Sequence, residues 1–291
     1  MNNETPKLSV IIVTYNSEKF LKDCLESVYS QQTDFSFHVI TVDNGSCDNS
    51  IPFITENFPK VEIIQNPNNV GFASANNQGV RHSETEFILF LNPDTLLKQN
   101  AFQTLVDFMI LHPQAGVVGP KIFNADGSLQ RTGISFSSAW NLLTEILFLD
   151  KIFSYSKLFG GHRKLYLNPE QVHEVDYLQG SCLLATRPVL DEVGLFDETF
   201  FMYFEETDLC FRVKKKDYKV FYVSDAAIIH FGGSGMNYYD KKRLLLFHQS
   251  YVYFLKKHYS QVQQTVIILL LFVRAILRGI ILSIVGLLPA G

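Results

Sequence analysis

The sequence is short of cysteine, of basic charge and of glycine-rich phosphate loops, and each shortage removes a class of protein. Its four cysteines, Cys24, Cys47, Cys182 and Cys210, are widely spaced and form no CxxC pair. No disulfide framework is expected, and a reduced, cytosolic compartment is the default. The formal net charge of −4 supplies no basic field for nucleic acid. The first residues, MNNETPKLSV, lack a basic stretch followed by an apolar one, so no signal peptide is expected. There is no repeat and no low-complexity tract. No GxGxxG follows the first apolar run, which disfavours a Rossmann dehydrogenase or methyltransferase. No GxxxxGK[ST] is present, which disfavours a P-loop NTPase.

What is present is a chain of 291 residues, 47% hydrophobic and 19% charged. That is long enough for one large core or two modest ones, and apolar for a soluble domain. The first half alternates short apolar runs with helical periodicity. Leu8–Thr14 and Phe37–Val42 read as buried strands, Val61–Gln65 as a shorter one, and Phe87–Leu91 as a strand buried on both faces. Phe20, Leu21, Cys24, Leu25 and Val28 recur at helical spacing, with Asn16 or Ser17 as the expected cap. Phe72–Arg81 reads as a helix. This alternation predicts an α/β fold with a mostly parallel sheet flanked by helices.

Polar residues collect where these strands end: Thr14-Tyr15-Asn16, Asp43-Asn44 and Asn92-Pro93-Asp94. Ligands bind at that edge of open α/β sheets. A base and ribose need hydrogen-bonding groups there, and a diphosphate needs a cation or backbone amides. With no glycine-rich loop, a divalent metal on Asp94 is the expected source of positive charge. Ordinary turn chemistry explains Asn-Pro-Asp equally well on its own.

The second half carries a second acidic centre. Asn100–Leu111 reads as a helix and Val117–Pro120 as a short strand. From Lys121 to about Pro169 the pattern weakens, with helical spacing over Trp140–Phe153. Tyr177–Ala185 is strand-like with Gly180-Ser181 inside it, and Pro188–Val193 begins a helix. An aromatic run then delivers Glu205 and Glu206 to a helix start. Asp208 stands four residues before Arg212, a spacing that suits a structural ion pair. One of these acids could remove a proton from an acceptor hydroxyl, and apolar neighbours would raise its pKa toward a useful value. Lys219–Val223 and Ala226–Ile229 read as strands leading to His230 and the loop Phe231–Gly235.

These motifs together resemble family 2 glycosyltransferases, whose fold is called GT-A. The resemblance rests on SVIIVTYNSEKFLKDCLESV, VDNGSCDNS, NVGFASANNQGV, FLNPDT and FFMYFEETDLCFR, runs from about Leu8 to about Gly233, and is nearest to the rhamnosyltransferase-type enzymes of bacterial surface polysaccharide synthesis. It implies that Thr14, Tyr15 and Asp43 hold the base and ribose of a dTDP- or UDP-sugar, with Asn16, Asn44, Asn76 and Asn92 at neighbouring nucleotide-binding positions. It implies that Asp94 is the metal-binding acid of the family's Asp-x-Asp signature, whose first position here is Asn92. His230 would be a second ligand to Mg²⁺ or Mn²⁺. In the acidic motif the usual general-base position falls on Glu206, with Asp208 and Glu205 as rivals. A catalytically silent binding module and a nucleotidyltransferase are the alternatives. The latter needs basic residues near the first loop, where Thr14–Ser17 offers none.

The tail is helical and apolar. Leu244–Phe254 is followed by Val266–Leu288, which is long enough to span a bilayer but is interrupted by Arg274 and Arg278. An in-plane helix with its arginines reaching head groups is the expectation, and a helix packed on the catalytic domain or a dimer partner the alternative. The expected division is a catalytic domain over 1–240, with nucleotide-binding and acceptor halves meeting near 120, and a membrane-associating segment over 241–291. Such an enzyme would work at the cytoplasmic face of the membrane on a lipid-linked glycan.

Overall fold

The structure is a computed structural model that describes residues 6–160, 164–232 and 241–286. Of the loop expected after His230, Gly233, Ser234 and Gly235 lie outside the described residues, as do the end of the tail and the boundary expected at 240. In chain order the elements are β1 (Leu8–Thr14), α1 (Glu18–Tyr29), β2 (Phe37–Asp43), α2 (Ser50–Asn57), β3 (Glu62–Gln65), α3 (Phe72–His82), β4 (Phe87–Leu91), β5 (Thr95–Leu97), α4 (Ala101–Leu111), β6 (Ala115–Phe123) and β7 (Leu129–Gln130). There follow α5 (Ala139–Ile146), α6 (Leu149–Ile152), β8 (His173–Val175), β9 (Cys182–Thr186), α7 (Arg187–Val193), α8 (Glu205–Lys215), β10 (Lys219–His230), α9 (Lys241–His258) and α10 (Gln261–Gly286).

The chain forms two compact units, Met1–Gly133 with Pro169–Tyr251, and Ile134–Asn168 with Val252–Gly291. The first is built on one mixed sheet of order β3-β2-β1-β4-β9-β6-β10-β5, with β7 on β6 and β8 on β10. β1, β2, β3 and β4 pair in parallel. β9 is antiparallel to both β4 and β6, and β10 is parallel to β6. The principal strands therefore point one way, and the fold class is the mixed, mostly parallel α/β sheet expected, with helices at the C-terminus.

Local chemistry explains the elements. β1 and β4 are buried along their whole lengths, which is why they read as unbroken apolar runs. α1 turns Leu21, Cys24, Leu25 and Val28 to the sheet. The expected side-chain cap from Asn16 or Ser17 is not made. The Glu18 amide instead donates to Asp48 Oδ2 at 3.1 Å, and the Ser17 amide to Ser50 Oγ at 3.1 Å. Residues from the loop after β2 thus satisfy the amides at the start of α1. Gly180 and Ser181 precede β9 rather than lying inside it. The two strands read over Lys219–Ile229 are one strand, β10, with a register break between Val223 and Ala227. Val223 lies opposite Pro120 of β6, and proline has no N–H to continue the ladder.

The second unit holds α5, α6 and α10. Ser138 caps α5 by accepting the Asn141 amide at 3.1 Å, and Phe148, in the left-handed region, separates α5 from α6. Arg274 pairs with Glu145 of α5 at 2.6 Å, so this mid-helix cation is neutralised by protein instead of reaching for head groups as expected. Arg278 lies where side chains are not described. Among the described residues, no helix is long and apolar enough to cross a membrane.

Candidate active site

The carboxyl ends of β1 and β2 are tied together by their own loops. Thr14 pairs with Asp43 in register, and its hydroxyl donates to Asp43 Oδ1 at 3.2 Å. The Gly45 and Ser46 amides donate to Asp43 Oδ2 at 3.1 and 3.0 Å. Asn44 is buried; its amide donates to the Thr14 carbonyl and its side chain to the Gly71 carbonyl, at 2.8 and 3.1 Å. Asn16, at φ 50°, accepts the Cys47 amide at 2.8 Å. These residues shape the edge, and Tyr15 stands out from it, 52% exposed. Asn76 is buried in α3 and donates to the Phe72 carbonyl of its own helix at 2.9 Å. Its neighbour Asn77, which sequence reasoning did not single out, joins distant segments: it accepts the Phe196 amide and donates to the Phe196 carbonyl and to Glu198.

At the end of β4 the structure brings Asp94 and His230 together. β5 pairs with β10 so that Thr95 faces His230, and the Phe231 amide donates to the Asp94 carbonyl at 2.9 Å. Asp94 Oδ1 and His230 Nε2 are 3.3 Å apart. His230 Nδ1 lies 3.1 Å from Gln130 Oε1. With that N–H donated to the amide oxygen, Nε2 presents a lone pair toward a carboxylate. Two acceptors at that separation call for a cation or an added proton between them. Gly232 lies against the His230 ring so closely that a Cβ there would overlap it, so glycine leaves the room this ring position needs.

The acidic motif reaches the same edge through β9. Because β9 is antiparallel to β4, its start lies at the carboxyl end of β4: Leu91 faces Cys182, and the Asn92 amide donates to the Ser181 carbonyl at 2.9 Å. Gly180 in turn lies against Glu206, where a Cβ would fall 3.6 Å from the Glu206 Cβ. Glu205 and Glu206 open α8 after two strained aromatic residues, Tyr203 at φ 71° and Phe204 at φ 69°. Bulky residues rarely hold that conformation unless packing enforces it. Here Phe204 stacks on Tyr251 at 5.0 Å and meets Phe247, while Ser250 Oγ donates to the Met202 carbonyl. α9 thus clamps the segment that aims the two glutamates.

The acids then divide by environment. Asp208 is fully buried and bonded to Arg212 Nε at 2.7 Å. The same guanidinium donates to the carbonyls of Val193, Gly194 and Leu195. Asp208 is the anchor of a loop clamp. Glu205 is buried, and desolvation together with the neighbouring Glu206 charge holds its carboxyl well above the usual range. Glu206 keeps some solvent contact; burial pushes its carboxyl up to about 7 against the backbone amides of Glu206, Thr207 and Gly180, which pull it down.

Several buried polar atoms in this neighbourhood have no hydrogen-bond partner: Asn92 Oδ1, Gln179 Oε1, Ser181 Oγ, Glu205 Oε2 and Glu206 Oε2. Buried polar groups are otherwise almost always paired, so this set marks where a polar ligand belongs. Gln179 and Ser181 carried no sequence signal beyond the glycine between them. Among the described residues there is no group of three metal-ligating side chains. Asp94 and His230 fit a divalent ion only as a partial shell, an oxygen and a nitrogen, completed by oxygens of a bound ligand.

The model of glycosyl transferase family 2 matches residues 9–170. The chain belongs to this family. It is 27% identical, over 88% of its length and 86% of the other protein's, to the N-acetylglucosaminyl-diphospho-decaprenol L-rhamnosyltransferase of Mycobacterium tuberculosis. It is 27% identical, over 73% of its length and 63% of the relative's, to the low-salt glycan biosynthesis hexosyltransferase Agl10 of Haloferax volcanii. Its fold is similar to GalNAc-T7, solved with UDP, GalNAc and Mn²⁺, at a TM-score of 0.63 and 14% identity, covering 88% of this chain and 48% of that one. It is also similar to the Pyrobaculum calidifontis mannosyltransferase PcManGT, solved with GDP-mannose and Mn²⁺, at a TM-score of 0.56 and 16% identity, covering 88% and 64%. The protein is a family 2 glycosyltransferase with a GT-A-like catalytic fold.

Proposed function

We propose that the protein is an inverting glycosyltransferase that moves a sugar, rhamnose being the leading candidate, from a dTDP- or UDP-sugar to a hydroxyl of a lipid-linked glycan. The observation that carries this reading is the convergence at one sheet edge of the Asp94–His230 pair and the unpartnered buried atoms of Asn92, Gln179, Ser181, Glu205 and Glu206. Tyr15 offers an exposed ring beside the Thr14–Asp43 edge on which a base can stack. Asp94 and His230 would hold Mg²⁺ or Mn²⁺, with the latter more tolerant of a nitrogen ligand. When bound, that ion offsets the charge of the departing nucleoside diphosphate.

Glu206 takes the proton of the acceptor hydroxyl as the oxygen attacks the anomeric carbon and the bond to the diphosphate breaks. Its raised affinity for a proton suits that step near neutral pH. Glu205, more deeply buried and beside the Glu206 charge, is biased toward its neutral form, in which it can donate a hydrogen bond. Asp208 holds α8 to the loop before it. The C-terminal helices would bring the enzyme to the cytoplasmic face of the membrane, where the acceptor lies.

The test is release of nucleoside diphosphate and product mass with a panel of dTDP- and UDP-sugars, with and without Mn²⁺. Metal-stimulated transfer that Glu206→Gln removes supports the reading. No turnover of any donor, with Glu206→Gln indistinguishable from the parent, identifies a silent sugar-nucleotide-binding module instead.

A further inference from the structure

Charge and exposed apolar surface are both unevenly placed in this chain. None of the 29 Asp and Glu residues lies from Lys241 onward, whereas seven of the 25 Lys and Arg residues do. The first 240 residues therefore carry 18 basic against 29 acidic side chains, and the remainder is purely cationic. Of the 27 large apolar side chains exposed among the described residues, 17 fall in the second unit, which is about a quarter of the chain. Large contiguous apolar surfaces on a soluble protein mark an interaction face.

Within that unit the apolar side chains come from two separate stretches. α10 buries Ile267 and pairs Arg274 with Glu145 of α5. Its other side exposes residues at helical spacing, including Leu269, Phe272 and Ile276. The α5–α6 stretch exposes Trp140, Phe148 and Phe153, with Lys151, Lys157 and Lys164 interspersed. Its acids are Glu145, consumed by Arg274, and Asp150. The Trp140 ring is held in place by its Nε1–H, which donates to the Leu158 carbonyl at 2.8 Å.

We infer that the second unit is a composite docking surface for an anionic bilayer, in which the aromatic α5–α6 stretch inserts at the interface together with α10. This deepens the membrane-surface reading above, which assigned contact to the C-terminal helices alone. The occupant is identified by charge complementarity. The second unit itself carries eight Lys and Arg residues against two acids, Glu145 and Asp150, so it is attracted to anionic head groups, and a second copy of the same chain would bring like charge to like. Aromatic side chains flanked by lysines suit the head-group layer, and among the described residues no helix is long and apolar enough to cross the core.

Trp140 is the single tryptophan of the chain, so its fluorescence reports on α5 alone. The experiment adds vesicles of phosphatidylcholine, with or without phosphatidylglycerol, to the full chain and follows sedimentation and Trp140 emission together. Phosphatidylglycerol is expected to raise the bound fraction at least ~10-fold, with loss at high salt. Trp140 emission should shift to the blue and be quenched by brominated acyl chains. Phe272→Ser and Leu269→Ser, both at exposed positions, should weaken vesicle binding while leaving transfer to a soluble acceptor analogue unchanged. Binding without any change in Trp140 emission would overturn the composite surface and leave docking by the C-terminal helices. No binding to either vesicle, with concentration-dependent dimerisation in sedimentation velocity, would assign the face to a second copy. Transfer to the soluble analogue, measured separately, tells failure of this inference from failure of the catalytic reading.

Discussion

Replacing Glu206 by glutamine keeps the side chain's size and its contact with Gly180 but removes its capacity to take a proton. A positioned general base contributes ~10²–10⁴-fold to rate, so on the proposed mechanism transfer by Glu206→Gln should fall by that factor with donor affinity little changed. The pH profile is the sharper test. Burial lifts this carboxyl from 4.5 to about 7, and the base must be ionised to act. Activity should therefore rise with pH through an apparent midpoint near 7, not near the ordinary carboxylate value. Glu205→Gln, which removes the neighbouring carboxyl but leaves Glu206 in place, should keep that ascending profile. Stability carries the opposite sign. The folded state binds the proton more tightly than the unfolded chain, so stability present below pH 4.5 is lost as pH rises through about 7. The shift corresponds to roughly 3 kcal/mol, which solvent contact at Glu206 reduces to about 1–2 kcal/mol. Glu206→Gln should accordingly melt ~2–8 °C above the parent at alkaline pH and level with it in acid. A flat pH–rate profile between pH 5 and 8 would refute Glu206 as the base.

Two further substitutions probe the supports of the site. Asp208→Asn removes the charged partner of Arg212 in a pair whose carboxylate is fully buried and should cost about 3 kcal/mol or more in urea unfolding; a cost below ~1 kcal/mol would mean the three carbonyl bonds to Arg212 suffice. Gly232→Ala places a methyl group against the His230 ring and should raise the Mn²⁺ concentration needed for half-maximal transfer about tenfold or more, with the melting temperature nearly unchanged.

Much of this architecture was legible because the residues that build it say so locally. β1, β2 and β4 are apolar runs whose burial leaves no alternation to disguise them, and α1, α3 and α4 repeat their apolar positions every third or fourth residue. Elements defined by pairing instead of composition were not. β5, β7 and β8 are two or three residues long and exist because β10 and β6 lie beside them. The Asp48 cap of α1 comes from a loop 30 residues away in sequence, which no local pattern encodes. Asp43 was read as a ligand-binding group because it ends a strand; its bonds to Thr14, Gly45 and Ser46 show it first as the keystone of its own loop. The Asp208–Arg212 pair was readable from its four-residue spacing. The environment that separates Glu206 from Glu205 was not, since it depends on Gly180 arriving from the segment before β9 and on α9 clamping Phe204.

The proposed reaction needs a cation shared between Asp94, His230 and a nucleoside diphosphate at the end of β4. Titration calorimetry of UDP and dTDP against the parent and Asp94→Asn, each with Mn²⁺ and with chelator, tests it most directly. Mn²⁺ should tighten one of these nucleotides at least ~10-fold on the parent and have no such effect on Asp94→Asn. Nucleotide affinity that is the same with metal and with chelator, or a metal effect that survives Asp94→Asn intact, would contradict it.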